Sequence, residues 1–189
     1  IPDQLASQAR DAGVRVHLET PIESLDAGDG VELETVETTV GADGAVVATD
    51  PVTAEPLTAV DVPTTTRGCV TQHFSLPTTQ HLDLGRRLLL NAADDRPNHV
   101  ALLSAVADDY SPDGQRLLSA TFLGAPNDSD DALAAEVREA MTSWYPEHSF
   151  TNLELLATHR IPAAQLAQPP GFRSRTPNPE APEGPVVLA

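Results

Sequence analysis

The residue types that most often carry catalysis or bind metals are spread along this sequence, and their spacing forms few known motifs. No two of its six histidines are two or four residues apart, and only one cysteine, Cys69, is present, so we expect no metal site. Cys69 lies in an apolar run and is expected to be a core residue. The histidines are His17, His73, His81, His99, His148 and His159.

Three well-known catalytic and phosphate-binding motifs are missing from the sequence. There is no Gly-x-Ser-x-Gly elbow, no Gly-x-Gly-x-x-Gly loop and no Walker loop. The chain alone is therefore predicted to make neither a serine-hydrolase nucleophile nor a cradle for a pyrophosphate. We name no catalytic residue from the sequence.

The densest group of metal-ligand residue types is the run from Asn127 to Asp131. An EF-hand calcium loop needs glycine at its sixth position. That position is Ala132 or Leu133 in the two registers that the run allows. Asn, Ser and Asp cap helix N-termini, and acidic side chains stabilise the positive end of the helix dipole. The run is therefore expected to begin a helix rather than to bind calcium.

The composition is strongly acidic. Asp and Glu number 28 against 11 arginines, lysine is absent, and the formal net charge is −17. Such a surface repels phosphates, so a nucleic-acid partner is not expected. Repulsion among carboxylates destabilises a fold in dilute buffer, whereas in molar salt the Debye length falls to about 3 Å. We expect a cytoplasmic protein of a high-salt organism, the alternative being an acidic protein without salt adaptation.

The first third of the chain reads as a mixture of helix and strands. A helix is predicted over 3–12, with Gly13 placed to end it. Alternating apolar residues predict strands over 14–20 and 31–40. The run Ala45–Ala48 before Pro51 predicts a strand buried on both faces, so Val46 and Val47 are both expected to be buried.

The rest of the chain predicts an antiparallel sheet with one strong helix. Strand-like runs at 67–76, 86–91, 100–106 and 116–123 are joined by short turns, including one at 94–98. An apolar stripe predicts a helix over 131–145, ended by Pro146. A strand follows at 153–158, and the proline-rich segment 162–185 reads as an extended loop.

Several passages also follow one another in an order that is familiar from one enzyme superfamily. Together they resemble motifs of flavin-dependent amine oxidases, phytoene desaturases and protoporphyrinogen oxidases. The resemblance covers the whole chain, but the Gly-rich N-terminal motif and the Gly-Asp of the last flavin motif are not in it. The passages are Ile1–Leu5 with Gly13–Leu18, Thr20–Leu25, Ala42–Ala48, Asp108–Gly114, Arg160–Ala164 with Pro169–Gly171, and Val186–Ala189.

This resemblance implies an α+β fold: an antiparallel or mixed β-sheet substrate domain with helices, attached to a few elements of an α/β, Rossmann-like FAD-binding domain. Residues 1–60 would belong to the FAD-binding domain, 61–185 to the substrate domain, and 186–189 to a strand returning to the FAD-binding domain. The implied cofactor is FAD. The implied cofactor-binding residues are Ile22, whose backbone would reach the adenine end, and Ala48 and Thr49.

The implied reaction is hydride transfer from an organic substrate to the flavin, whose chemistry does the difficult step. Strand residues Gln72, Phe74 and Leu103 are candidates for lining the substrate site. Because the chain has only four Phe, two Tyr and one Trp, an apolar, isoprenoid-like substrate is favoured over an amine held in an aromatic cage. A non-catalytic binding or interaction domain with the same sheet topology is the alternative.

The ends of the sequence suggest a piece of a longer enzyme. The first residue is Ile1 rather than Met, and an apolar strand occupies 186–189. We therefore expect the central part of an FAD-dependent oxidoreductase, with the chain inactive by itself. No apolar stretch is long enough to suggest a membrane span, although peripheral membrane contact is compatible with the resemblance. The sequence carries no signal for an oligomeric state.

Overall fold

The computed structural model describes residues 2–79, 82, 84–93 and 96–189. Ile1, His81, Asp94 and Asp95 lie outside these residues. The chain forms two compact units, the first made of residues 1–64 and 168–189 and the second of residues 65–167. The α+β class predicted from the sequence is confirmed, with mainly antiparallel strands and three α-helices among the described residues.

In chain order the helices and strands are α1 (Pro2–Asp11), β1 (Ile22–Ala27), β2 (Val31–Thr35), β3 (Thr39–Ala42), β4 (Ala45–Val47), α2 (Pro51–Thr58), β5 (Thr66–Pro77), β6 (Leu88–Leu90), β7 (His99–Leu102), β8 (Gln115–Leu123), α3 (Asp130–Trp144), β9 (Glu154–Leu166) and β10 (Val186–Leu188).

The first unit contains two small sheets and two helices. Strands β1, β2 and β3 form an antiparallel sheet in that order, whereas β4 pairs in parallel with β10. The predicted strand over 31–40 is in fact two strands, because the Thr35 hydroxyl accepts hydrogen bonds from the N–H groups of Glu37 and Thr38 and fixes a turn there. The core of this unit is small and consists of Val31, Val47, Ala54 and Val186.

The predicted strand over 14–20 was wrong. This segment is irregular, and Val14, Val16 and Leu18 are all exposed. An isolated strand leaves its backbone groups without a ladder, and no described strand lies alongside this one. Helix α1 before it is present as predicted and ends near Gly13, whose positive φ of 90° suits glycine, but it buries no residue.

The prediction for β4 was right for one valine and wrong for the other. Val47 is 7% exposed and packs in the core of the first unit, whereas Val46 is 68% exposed. Successive side chains of a strand point to opposite faces, and on the second face both Val46 and its pairing partner Val187 are exposed. The strand is therefore buried on one face and open on the other.

The second unit is built on a five-stranded antiparallel sheet with the order β6-β7-β8-β5-β9. The four predicted strands in the middle of the chain are all present, although the one starting at 100 turns into a short 3-10 helix at Leu103–Ala105. Helix α3 covers one face of this sheet and contributes Leu133, Ala134, Val137 and Met141 to a core of sixteen buried residues.

The N-terminus of α3 is held by capping and by two arginines, as expected from the run at 127–131. The Ser129 hydroxyl accepts a hydrogen bond from Ala132 N at 3.3 Å. Arg160 donates to the carbonyls of Pro126 and Asp128 and to the Asp130 carboxylate. Arg96 pairs with Asp128 at 2.8 Å and with Glu136 at 2.7 Å. These contacts stabilise the start of α3, which confirms the predicted helix start.

Strand β9 is much longer than predicted, because it extends through Pro162 to Leu166. It is an edge strand, where the missing N–H of a proline costs no ladder hydrogen bond if it points outward. Gly68 of β5 allows the close approach, since a Cβ on it would lie 2.7 Å from the Pro162 carbonyl oxygen. Residues 168–185, predicted within the substrate domain, belong to the first unit.

Candidate functional site

The two faces of the five-stranded sheet differ in what covers them. On β5 the side chains of Val70, Gln72 and Phe74 are fully buried on the α3 side. The alternate residues Cys69, Thr71, His73 and Ser75 point to the opposite side and are half-buried. We call this second side the open face. Its residues are more exposed than those on the α3 side, so it is the more accessible side of the sheet within the second unit.

The strand register places small polar side chains in the middle of the open face. Thr71 of β5 lies opposite Thr121 of β8, and their hydroxyl oxygens are 3.2 Å apart. His73 of β5 lies opposite Ser119 of β8. Apolar side chains lie further out; the exposed ones are Leu88, Leu90, Leu123 and Ile161. The open face thus has a hydrogen-bonding centre and an apolar periphery.

Two histidines meet across neighbouring strands on this face. His159 of β9 is the pairing partner of Thr71. His73 is two residues from Thr71 along β5, so it lies on the same face and next to His159. The two imidazole ring centres are 5.3 Å apart, with the ring planes at 78°. Burial, and secondly the charge of His159, lowers the pKa of His73 below its ordinary value. His73 is therefore neutral at pH 7, the form that accepts a proton or binds a metal.

A third histidine, His99 of β7, lies on the same face but away from this pair. It is opposite Thr121 on one side and Leu90 on the other. Burial alone lowers its pKa. Three strand spacings of about 4.8 Å separate it from His159 in the same row, so it cannot share a ligand with the pair.

The structure places the three predicted substrate-lining residues away from the centre of the open face. Gln72 and Phe74 lie together on the α3 side and are completely buried. The Gln72 amide donates to the Asp130 carbonyl at 2.8 Å and to the Thr158 hydroxyl at 3.2 Å, so it ties the sheet to the start of α3. Leu103 is half-buried at the end of β7, between Leu102 and Ser104.

A shallow cavity of about 460 Å³ lies at this end of the sheet in the second unit. The segment Ser111–Gly114, part of a passage that carries the family resemblance, forms part of its wall together with Leu102, Ser104 and Arg116. The Arg116 guanidinium donates to the Leu82 carbonyl at 2.9 Å, and Gly114 accepts a hydrogen bond from Thr78 N. Leu102 and Arg116 lie in the rows of the sheet that face α3, so the cavity is separate from the open face, and the carboxylates of Asp108 and Asp113 add negative charge to its wall.

The predicted cofactor residues occupy two places in the first unit. Ala48 and Thr49 are exposed and directly follow β4, at the carboxyl end of a parallel strand pair. Ligands of open α/β sheets bind at such ends. Ile22 is also exposed, and begins β1. The three residues belong to different sheets, since β1 pairs with β2 and β4 pairs with β10.

The chemistry of this region fits a part of FAD rather than its pyrophosphate. The N-terminus of α2 is already occupied by the Asp50 carboxylate, which accepts hydrogen bonds from Thr53 N at 3.1 Å and from the Thr53 hydroxyl at 2.8 Å. These bonds lower the pKa of Asp50, so an anionic group fills the position that a phosphate would take. Ile22, Ala48 and Thr49 are exposed residues outside this helix terminus.

Other kinds of site are not found among the described residues. No group of three or more His, Cys, Asp or Glu side chains is arranged to hold a metal ion there. Cys69 is half-buried and unpaired in that part of the chain. In the same part, no helix has the length and apolar character needed to cross a lipid bilayer.

Sequence reasoning missed the polar residues of the open face. Thr71, His73, Ser119, Thr121 and His159 come from three strands, and His73 is 86 residues from His159. Period-two alternation does separate Thr71 and His73 from their buried neighbours Gln72 and Phe74. The alternation does not show which face of the strand a helix covers. The predicted lining residues Gln72 and Phe74 turn out to be on the covered face.

Solved structures with the same fold include three oxidoreductases. A protein of Exiguobacterium sp. 255-15 assigned as a protoporphyrinogen oxidase matches 99% of this chain and 45% of its own length, at a TM-score of 0.66 and 16% identity. An oxidoreductase of Methanosarcina mazei matches 99% of this chain and 47% of its own, at a TM-score of 0.68 and 14% identity. OxyS anhydrotetracycline hydroxylase of Streptomyces rimosus matches 99% of this chain and 35% of its own, at a TM-score of 0.54 and 16% identity.

The chain thus spans less than half the length of each of these three proteins. No curated protein matches the sequence significantly. The model of one protein family, described as DAO, FAD-dependent oxidoreductase, matches residues 3–180. That range covers both units and nearly all of the elements described above. The chain therefore belongs to the DAO family of FAD-dependent oxidoreductases, and FAD is the cofactor of that family.

Proposed function

We propose that this chain is the central part of an oxidoreductase that transfers a hydride from an organic substrate to FAD, with the substrate lying against the open face. The observation that carries this proposal is the asymmetry of the five-stranded sheet. One face is covered by α3 over a core of sixteen buried residues, which leaves the other face as the side on which we place the substrate. That other face offers hydroxyl and imidazole groups at its centre.

The two units would have different roles, one in cofactor binding and the other in substrate binding. We propose that the first unit contributes Ile22, Ala48 and Thr49 to FAD binding, and that the second unit forms a wall of the substrate site. Leu103 would contact the substrate near the end of β7. Gln72 and Phe74 would support this wall from its core side, because neither is exposed.

An apolar substrate, as in phytoene desaturase-like enzymes, is the first candidate. The periphery of the open face is formed by exposed Leu and Ile side chains, and none of the described residues on this face is Phe, Tyr or Trp. An aromatic cage for an amine would therefore have to come from other parts of the enzyme. The polar centre favours a second candidate, a substrate that also carries a hydrogen-bonding group.

The test is to purify the product of the full-length gene and to record its absorbance spectrum. An enzyme with bound FAD is yellow, and an oxidisable substrate bleaches the flavin band under anaerobic conditions. The chain 1–189 serves as the control and is expected to remain colourless after incubation with FAD, because its sequence has neither a Gly-x-Gly-x-x-Gly loop nor a Walker loop. A full-length protein that binds no FAD would instead favour the non-catalytic binding domain.

We also propose that the enzyme works in the cytoplasm of a high-salt organism. The net charge of −17 with no lysine supports this proposal, since dense carboxylates suit a strongly screened solution. Peripheral membrane contact stays part of the proposal only for an isoprenoid substrate, which partitions into lipid.

A further inference from the structure

We propose that His73 and His159 form a two-histidine site for a divalent transition-metal ion on the open face. The two imidazoles come from neighbouring strands, β5 and β9, and their ring centres are 5.3 Å apart. The family relationship assigns no metal to this position. The proposal is independent of the hydride-transfer function, because it concerns only contacts within the second unit.

The separation of the rings is the one that a shared metal ion requires. Zinc binds imidazole nitrogen at about 2.0–2.1 Å, and that nitrogen is about 1.1 Å from the ring centre, so each centre is about 3.2 Å from the ion. At the tetrahedral angle, two such rings have centres about 5.2 Å apart. The observed 5.3 Å therefore allows both rings to reach one ion by rotation about χ2, which is a soft torsion.

The ring nitrogens are also free to bind. Neither imidazole makes a hydrogen bond or ion pair with the described residues, and the two rings contact each other edge to face. The two rings are held on adjacent strands of one sheet, and imidazole suits Cu²⁺, Ni²⁺ and Zn²⁺.

Two protein ligands leave coordination positions open. His99 is about three strand spacings away in the same row, and the cross-strand neighbours of the pair are Thr71, Ser119 and Ala157. A bound ion would therefore face solvent with free positions, where water or an oxygen of another molecule can bind. The arrangement is that of an exchangeable metal site rather than a closed structural one.

The experiment is a calorimetric titration of the chain 1–189 with Cu²⁺, Ni²⁺ and Zn²⁺ separately, in a non-chelating buffer near neutral pH. Four proteins are compared: the wild type, His73→Gln, His159→Gln, and His99→Gln as the matched control on the same face. We expect one ion per chain, with Cu²⁺ bound most tightly. Loss of either member of the pair should weaken binding by about tenfold or more, while His99→Gln should leave it unchanged.

A second measurement keeps the proposal testable if a variant fails to fold. In the wild type, substoichiometric Cu²⁺ should broaden the imidazole NMR signals of His73 and His159 before those of the other histidines. Equal affinity in all four proteins, equal broadening of all histidines, or no binding to the wild type would each overturn the proposal. None of these results depends on FAD, so failure here is separate from failure of the proposed reaction.

Discussion

The two units of this chain differ in the size of their apolar cores. The second unit, of 103 residues, encloses sixteen buried residues between one sheet and one helix, whereas the first unit, of 86 residues, has four in its core cluster. In the first unit Val14, Val16, Leu18 and Val46 are exposed. Valine and leucine are among the residue types most often fully buried in folded proteins. The second unit is therefore self-sufficient, and the first is stabilised by much less apolar burial.

The charges differ in the same direction. The first unit has fifteen acidic side chains and four arginines, and the second has thirteen and seven. Every ion pair between described side chains lies in the second unit, where Arg96 and Arg160 hold the start of α3. The unit with the smaller core thus also has the larger uncompensated charge. Four predictions test this difference, from the largest expected effect to the smallest.

Substitution of Val47 by Asp should unfold the first unit. The side chain is buried in a four-residue core, and an unpaired buried charge costs several kcal/mol. Val46→Asp is the matched control, since the adjacent side chain is exposed and its substitution should change stability by less than about 0.5 kcal/mol. Amide hydrogen exchange is the measurement. Loss of protection in β5 and β8 as well would contradict the self-sufficiency of the second unit.

Phe74→Ala should destabilise the second unit by about 3–5 kcal/mol, because it removes a fully buried ring from a packed core. Urea unfolding, followed by a signal of β5 or α3, gives the change in the free energy of unfolding. Leu90→Ala, on the exposed side of the same sheet, should cost less than about 0.5 kcal/mol. Similar values for the two variants would mean that the two faces of the sheet are not distinguished as described.

Stability should rise with salt, and more steeply for the first unit. Its excess of eleven acidic over basic side chains, against six in the second unit, is poorly screened in dilute buffer, whereas at about 1 M salt the Debye length is about 3 Å. Exposed ion pairs are worth about 0–1 kcal/mol each, so their weakening does not reverse the trend. Thermal melts in increasing KCl measure this; a flat or falling midpoint would remove the support for salt adaptation.

The smallest effect concerns pH and is confined to the second unit. Burial lowers the pKa of His73 and His99 in the folded state below the value of about 6.5 for an unfolded chain. The unfolded chain then binds more protons as the pH falls through 6.5, so stability decreases until the folded-state pKa values are passed. The double variant His73→Gln with His99→Gln should lose this decrease. A variant that follows the wild-type pH dependence between 7 and 5 would contradict it.

What the sequence could predict differs between the two units for a physical reason. In the second unit, regular alternation and turn residues located β5, β6, β8 and α3, because each element packs on the others. In the first unit the same alternation at 14–20 predicted a strand that has no described neighbour. The alternation of apolar and polar residues identifies the two faces of a strand or helix. It does not show which other elements pack against each face. For the same reason, Gln72 and Phe74 were predicted to line the substrate site, and Thr71 and His73 of the open face were not.

Pro162 in β9 has a consequence for contacts with other molecules. The outer edge of this thirteen-residue strand faces no other described strand, and a free edge of that length is a template on which a foreign strand can pair. Pro162 lies where the pairing of β9 with β5 is irregular, between the pairs Cys69–Ile161 and Arg67–Gln165, and a proline and a bulge both interrupt the regular edge that such pairing needs. Self-association through this edge, and the aggregation that follows from it, is thereby disfavoured even where high salt screens the repulsion between acidic chains.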